Sequence, residues 1–322
     1  MRQAGPPVGT IALLGGSGFV GTRSAAALAS GGLNVRVVTR RAAHADHLRV
    51  LPGLQVATAH ASDPASLARA LTGCSAVVNF IGILNERSRD GSGFRRAHAG
   101  VAAALVEACR LAGVPRIVQV SALNAGHPQA ASHYLRSKGE AETILRGSGL
   151  AVTILQPSVI FGPGDSFLNR FAGLLRLMPG FFPLAMADAR FAPVHVDDVA
   201  AAISTVLAGH DRDGATLQLC GPEEFTLGEI VALTARTLGL ARVVVPLPRW
   251  IARLQAAVMD FVPGKPFSTD NYRSLLLPSV CSTSGFADLG LQPRSLTASI
   301  ATALGVAGPL RDYDRFRQGA RR

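Results

Sequence analysis

The stretch that most constrains this chain is Thr10–Gly21, TIALLGGSGFVG. Its apolar run Ile11–Leu14 reads as a short buried strand, and the alanine-rich segment Thr22–Ser30 after it has helical character. Gly15, Gly18 and Gly21 lie between the two. Such a turn lets the backbone approach a pyrophosphate, whose charge is met by the N–H groups and dipole of the helix start. In a chain with 34 glycines the spacing alone says little; its place between strand and helix carries the reading. The candidate contacts in this loop are Gly15, Ser17, Gly18, Phe19 and Val20.

The residues that follow repeat the alternation of strand and helix. Asn34–Thr39 reads as a second strand, Leu54–Ala59 as a third, Ala76–Phe80 as a fourth and Arg116–Ser121 as a fifth. Between them, Ser62-Asp63-Pro64 caps a helix through Leu71, and Arg95–Ala112 reads as a long amphipathic helix ended by Gly113 and Pro115. Residues 85–94 read as a polar surface loop. This order argues for a parallel sheet with right-handed crossovers, an α/β doubly wound fold. Ligands of such sheets lie at the carboxyl ends of the strands. That adds Phe80, Ile81 and Gly82 to the candidates, with Asp63 as a contact near the adenine or simply a helix cap.

The end of the second strand bears on which dinucleotide fits. Sites preferring NAD place an acidic residue there for the ribose 2′-hydroxyl. This chain has Arg40 followed by Arg41, a pair suited to a 2′-phosphate, so NADP(H) is favoured over NAD.

Tyr134 and Lys138 stand four apart at the start of a helix running to Arg146, which puts both on one face. An ammonium beside a phenol lowers its pKa, so such a Tyr can serve as a general acid or base while the Lys binds the nicotinamide ribose. The candidate catalytic group is Tyr134, Lys138 and Ser121.

Bulk properties exclude other classes. Hydrophobic residues are 48% of the 322, enough for a sizeable core and against wholesale disorder. The charge of +11 rests almost wholly on arginine, since Lys138 and Lys265 are the only lysines. Arginine suits anionic ligands, acidic partners or an anionic membrane surface, with compositional bias as the bland alternative. One Trp and three Tyr leave no basic stretch interleaved with stacking aromatics, which disfavours nucleic acid. Cys74, Cys109, Cys220 and Cys281 are widely spaced and read as reduced thiols, with no metal site. No signal peptide or transmembrane run is expected. The expected location is the cytoplasm, with the periphery of the inner membrane as the alternative.

The glycine motif, Tyr134-x-x-x-Lys138 and Val194-His-Val-Asp-Asp-Val-Ala200 together resemble the extended short-chain dehydrogenase/reductase superfamily. Within it, His133–Leu184 is similar to an atypical branch, the family of the 39 kDa accessory subunit of respiratory complex I. The segments YLRSKGEAE, LQPSVIFGPGDSFLNRF and LLRLMPGFFPL carry this likeness, with Asn79–Gly82 in support. The resemblance implies a Rossmann core at 8–160 completed by 191–220. It also implies a smaller C-terminal α/β lobe from 161–190 and 221–310, and a basic tail at 311–322. It places the backbone of Pro157, Val159 and Ile160 along the nicotinamide. It further implies NADP(H) held as a structural or sensing cofactor, acting through a respiratory or quinone-related complex. The superfamily's catalytic Ser or Thr stands two positions past Ser121, where this chain has Leu123. An NADPH-dependent oxidoreductase on an apolar or quinone-like substrate is the alternative, and a nucleotide-sugar epimerase or dehydratase a third.

In the second half, Ala151–Gln156 and Thr216–Leu219 read as strands, and Thr226 with Glu229 as the capping box of a helix through Leu238. Phe167–Leu184 reads as a wall of a substrate cleft, with docking to a membrane or hydrophobic partner as the alternative. His195, Asp197 and Asp198 read as a helix start capped by an aspartate. Trp250, Ile251, Leu254, Val258 and Phe261 form a helical stripe expected to face the core, or else an interface.

Overall fold

The computed structural model describes residues 9–262 and 267–306. The expected basic tail at 311–322 lies outside them. The first half runs β1 (Thr10–Leu14), α1 (Phe19–Ser30), β2 (Val35–Thr39), β3 (Leu54–Thr58), α2 (Pro64–Leu71) and β4 (Cys74–Asn79). It continues with α3 (Ser92–Arg95), α4 (Val101–Ala112), β5 (Arg116–Val120), α5 (His133–Arg146) and β6 (Ala151–Pro157). Then follow β7 (Ile160–Phe161), α6 (Phe167–Leu177), β8 (Gly180–Leu184), β9 (Arg190–Phe191), β10 (Val194–His195), α7 (Val196–Ala208) and β11 (Thr216–Leu219). The chain closes with β12 (Phe225–Thr226), α8 (Leu227–Thr237), β13 (Arg242–Pro246), α9 (Arg249–Met259) and short helices α10 (Thr269–Ser274), α11 (Gly285–Asp288) and α12 (Leu296–Ala303).

Seven strands make one parallel sheet in the order β11-β6-β5-β4-β1-β2-β3. Its central strands are buried on both faces over most of their length, hence the apolar runs Ile11–Leu14, Ala76–Val78 and Ile117-Val118. The strand order reverses between β1 and β4, and the crevice outside their carboxyl ends is where sheets of this kind bind ligands. Helices α2 and α4 pack on this sheet through Leu67, Leu71, Leu105 and Cys109, all fully buried.

The chain divides into two compact units. Of the described residues, the first comprises 9–157, 197–219 and 282–291, and the second 158–196, 220–262, 267–281 and 292–306. The second unit has its own core, with Phe161, Leu168, Leu175, Ile230 and Ile300 buried among α6, α8 and α12.

Four expectations are corrected. The single helix over Arg95–Ala112 is instead α3, a π-helical turn over Arg96–Gly100, and α4; the wider turn carries His98 in its buried side. Cys220 and Cys281 are joined by a disulfide within the second unit, leaving only Cys74 and Cys109 as free, buried thiols. Spacing could not show this, because 61 residues separate two cysteines that folding brings to a Cα–Cα distance of 5.9 Å. Asp197 and Asp198 do not cap α7 but sit inside its first turn, where their charge complements the helix dipole. The Trp250 stripe does not face the core: α9 rests on Ala252 and Ala256, and Trp250, Leu254, Val258 and Phe261 are exposed.

Candidate dinucleotide site

The glycine turn leaves β1 with Gly15 at φ +79°, a left-handed conformation that a side chain would strain. A Cβ on Gly21 would lie 2.5 Å from the Gly16 Cα, so glycine there lets α1 pack directly on the turn. Gly18 is the N-cap of α1 and has no side chain to bond the first-turn N–H groups, and that turn holds no acidic residue. The open donors and the dipole therefore remain available to an anion. Ser17, Phe19 and Val20 are half-buried around this start.

The β4 end adjoins it. Phe80 N–H donates to Leu14 O at 2.9 Å, and a Cβ on Gly15 would meet Ile81 Cγ1 at 3.1 Å. Ile81 N–H donates to Asn79 Oδ1 at 3.0 Å, Asn79 Nδ2 to Gln119 Oε1 at 2.8 Å, and Gln119 Nε2 to Val120 O at 3.0 Å. The same Val120 O accepts from Lys138 Nζ at 3.3 Å. This buried chain ties the ends of β4 and β5 to the lysine on α5. A Cβ on Gly82 would stand only 3.0 Å from Lys138 Nζ, so the segment after β4 passes directly over the amine.

Ser132 caps α5 by accepting from Leu135 N–H, which sets the phase that turns Tyr134 and Lys138 together. Around Tyr134 stand Phe94 and His98, edge-on with ring centroids 6.0 and 5.6 Å away. His98 Nε2 accepts from Ile83 N–H at 3.2 Å, and Nδ1 lies 2.8 Å from Ser137 Oγ, whose own proton goes to Tyr134 O at 2.9 Å. The proton of the neutral ring therefore sits on Nδ1. Burial, with Lys138 nearby, pushes His98 down to about 3, so it is uncharged. His98, Phe94, Gln119 and Ser137 were not singled out from the sequence, and Asn79 entered only as part of the Asn79–Gly82 likeness; a histidine in an alanine-rich helix carries no motif.

Burial lowers the Lys138 ammonium to about 8, partly opposed by Glu142. The Tyr134 phenol moves against expectation. It keeps some exposed surface, yet its dense surroundings push it up to about 12 instead of the ammonium lowering it. Ser121 Oγ is buried just past β5 with no hydrogen-bond partner among the described residues, and Leu123 is buried too. A buried hydroxyl without a partner, an amine with two donors to spare and a glycine cradle fit a dinucleotide lying across the sheet.

The remaining candidates lie on other elements. Arg40 and Arg41 are exposed just past β2, with Arg41 the N-cap of a 3-10 turn over Ala42–Leu48. Asp63 acts as the N-cap of α2, accepting from Ala65 N–H at 3.1 Å. Pro157 ends β6 in the first unit. Val159 and Ile160 belong to the second, where Val159 O accepts from Val194 N–H at 3.0 Å and Ile160 opens β7. Among the described residues, no cluster of His, Cys, Asp or Glu could hold a metal ion.

Residues 15–166 match the family described as NAD(P)H-binding. The Arabidopsis thaliana mitochondrial NADH dehydrogenase [ubiquinone] 1 alpha subcomplex subunit 9 is 30% identical over 302 residues, covering 88% of this chain and 74% of that protein. The chain belongs to that subunit's family. The rat member is 30% identical over 245 residues, or 73% of this chain, and the match spans 63% of the rat protein's length. Ceramide reductase of Caulobacter vibrioides is 33% identical over 193 residues, 60% of this chain and 59% of that one. Among solved structures, gox2253 matches with a TM-score of 0.75 at 22% identity, over 92% of this chain and 97% of that one. The chain thus has a Rossmann-like α/β fold with an NAD(P)-binding domain.

Proposed function

We propose that the chain holds NADP(H) at the carboxyl end of its sheet as a structural or sensing cofactor, acting through a partner such as a respiratory or quinone-related complex. The observation that carries this reading is the approach of the Lys138 amine to the segment after β4, which itself packs against the Gly15 turn, with the buried Ser121 hydroxyl next in sequence to Val120, whose carbonyl that amine holds. Arg40 and Arg41 support the 2′-phosphate form, because no carboxylate stands at the end of β2 to repel it. Leu123, in place of a hydroxyl residue, and a phenol pushed to about 12 support holding over turnover. Two relatives named as subunits of NADH dehydrogenase [ubiquinone] support a respiratory partner.

A second reading has its own support in the intact Tyr134–Lys138 pair and the relative named ceramide reductase. It is NADPH-dependent reduction of a carbonyl on an apolar substrate. The bound dinucleotide would supply a hydride to the carbonyl carbon. Tyr134 would give its proton to the oxygen, Lys138 would hold the ribose, and Ser121 would orient the carbonyl. The experiment is to load the protein with NADPH and follow absorbance at the nicotinamide band with quinone and long-chain ketone acceptors. The holding role predicts no oxidation above the rate of Tyr134→Phe; turnover lost in Tyr134→Phe establishes the enzyme instead.

A further inference from the structure

Helix α9 carries an apolar stripe that its own unit leaves uncovered. Trp250, Leu254, Val258 and Phe261 recur every three or four residues and are 70, 58, 56 and 73% exposed, while the opposite face is buried through two alanines. Leu247, just before the helix, donates its N–H to Leu184 O, so α9 starts from the end of the β8–β13 pair. That pair is apolar on its outer side as well: Val243 and Phe181 are register partners, and both are more than half exposed. Large apolar side chains gathered this way mark an interaction surface.

Charge indicates what covers it. Helices α6 and α9 and strands β8 and β13 together hold Arg170, Arg176, Arg242, Arg249 and Arg253 and no carboxylate. The acids nearby are fewer: Asp188 pairs with Arg249 at 2.9 Å, Asp260 accepts from Thr269 N–H and Oγ1, and Asp270 shares the adjoining α10 with Arg273. An aromatic-ended helical ridge with arginines beside it matches an interfacial helix, whose apolar side enters the headgroup–acyl boundary while guanidinium groups meet lipid phosphates.

We propose that this face of the second unit docks on an anionic lipid bilayer, with α9 lying in the interface plane. Nothing in this depends on the nucleotide reading, since every residue involved belongs to the second unit. Trp250 is the only tryptophan of the chain, so its fluorescence reports the contact directly. The full chain is mixed with vesicles of phosphatidylcholine alone or with phosphatidylglycerol added. Docking predicts co-sedimentation with the anionic vesicles, a blue shift of Trp250, and binding at least about tenfold weaker on the neutral ones. Leu254→Asp and Val258→Asp change exposed positions, so they leave circular dichroism and nucleotide binding intact while reducing partition by about tenfold or more. No partition onto anionic vesicles overturns the proposal, as does partition unchanged in both variants. Self-association of the wild type that both variants abolish, without vesicle binding, assigns the face to a second copy and overturns it equally.

Discussion

Lys138 is the residue on which the site turns, and its environment makes a signed prediction. Burial lowers it to about 8, whereas the unfolded chain keeps its proton up to about 10.4. Below about pH 8 the fold contains a charged, buried ammonium and carries its full desolvation cost. Between about 8 and 10.4 the unfolded state binds more protons, so stability rises with pH. Lys138→Met removes that cost and, without nucleotide, stabilises the protein at pH 7 by about 1–3 kcal/mol, an advantage that shrinks as pH climbs toward 10. Urea unfolding at several pH values checks it; a difference constant with pH refutes it. Tyr134 and Lys138 were legible from spacing alone, because a four-residue interval fixes a shared face. The direction of the Tyr134 shift was not, because it depends on packing by Phe94 and His98 from distant elements.

At the scale of the element, α5 is seated by contact between backbones. A Cβ on Gly139 would stand 2.3 Å from the Gly126 Cα, and backbone cannot swing aside. Gly139→Ala therefore displaces α5 from the loop after β5 and destabilises by about 1–3 kcal/mol, with weaker nucleotide binding alongside. Gly173→Ala in α6 meets nothing within 4 Å and is expected to stabilise by about 0.5–1 kcal/mol. Chemical denaturation of the two variants compares them, and equal effects would contradict the account. The strands were readable because parallel strands buried on both faces leave β-branched runs. The π turn at His98 left no such mark, since the alanine-rich sequence around it has no sharp apolar spacing for the widened turn to shift. Periodicity also showed that α9 has an apolar side, but only the fold decides whether that side is covered.

For the whole molecule, the second unit is closed on itself by Cys220–Cys281. A bridge across this separation restricts the unfolded chain, and Cys281→Ser is expected to lower stability by about 2–4 kcal/mol. Thermal melts with and without dithiothreitol should reproduce the loss in the wild type; melts that coincide would show that the bond contributes nothing. The first unit holds the other half of the account, a parallel sheet whose reversal point gathers the Gly15 turn, the β4 end and Lys138. The most direct test is calorimetric titration of NADPH and NADH into the nucleotide-free protein and into Arg40→Asp. NADPH should bind the wild type at least about tenfold more tightly than NADH, with the preference lost in Arg40→Asp. No heat from either nucleotide, or equal affinities unchanged by the substitution, would contradict it.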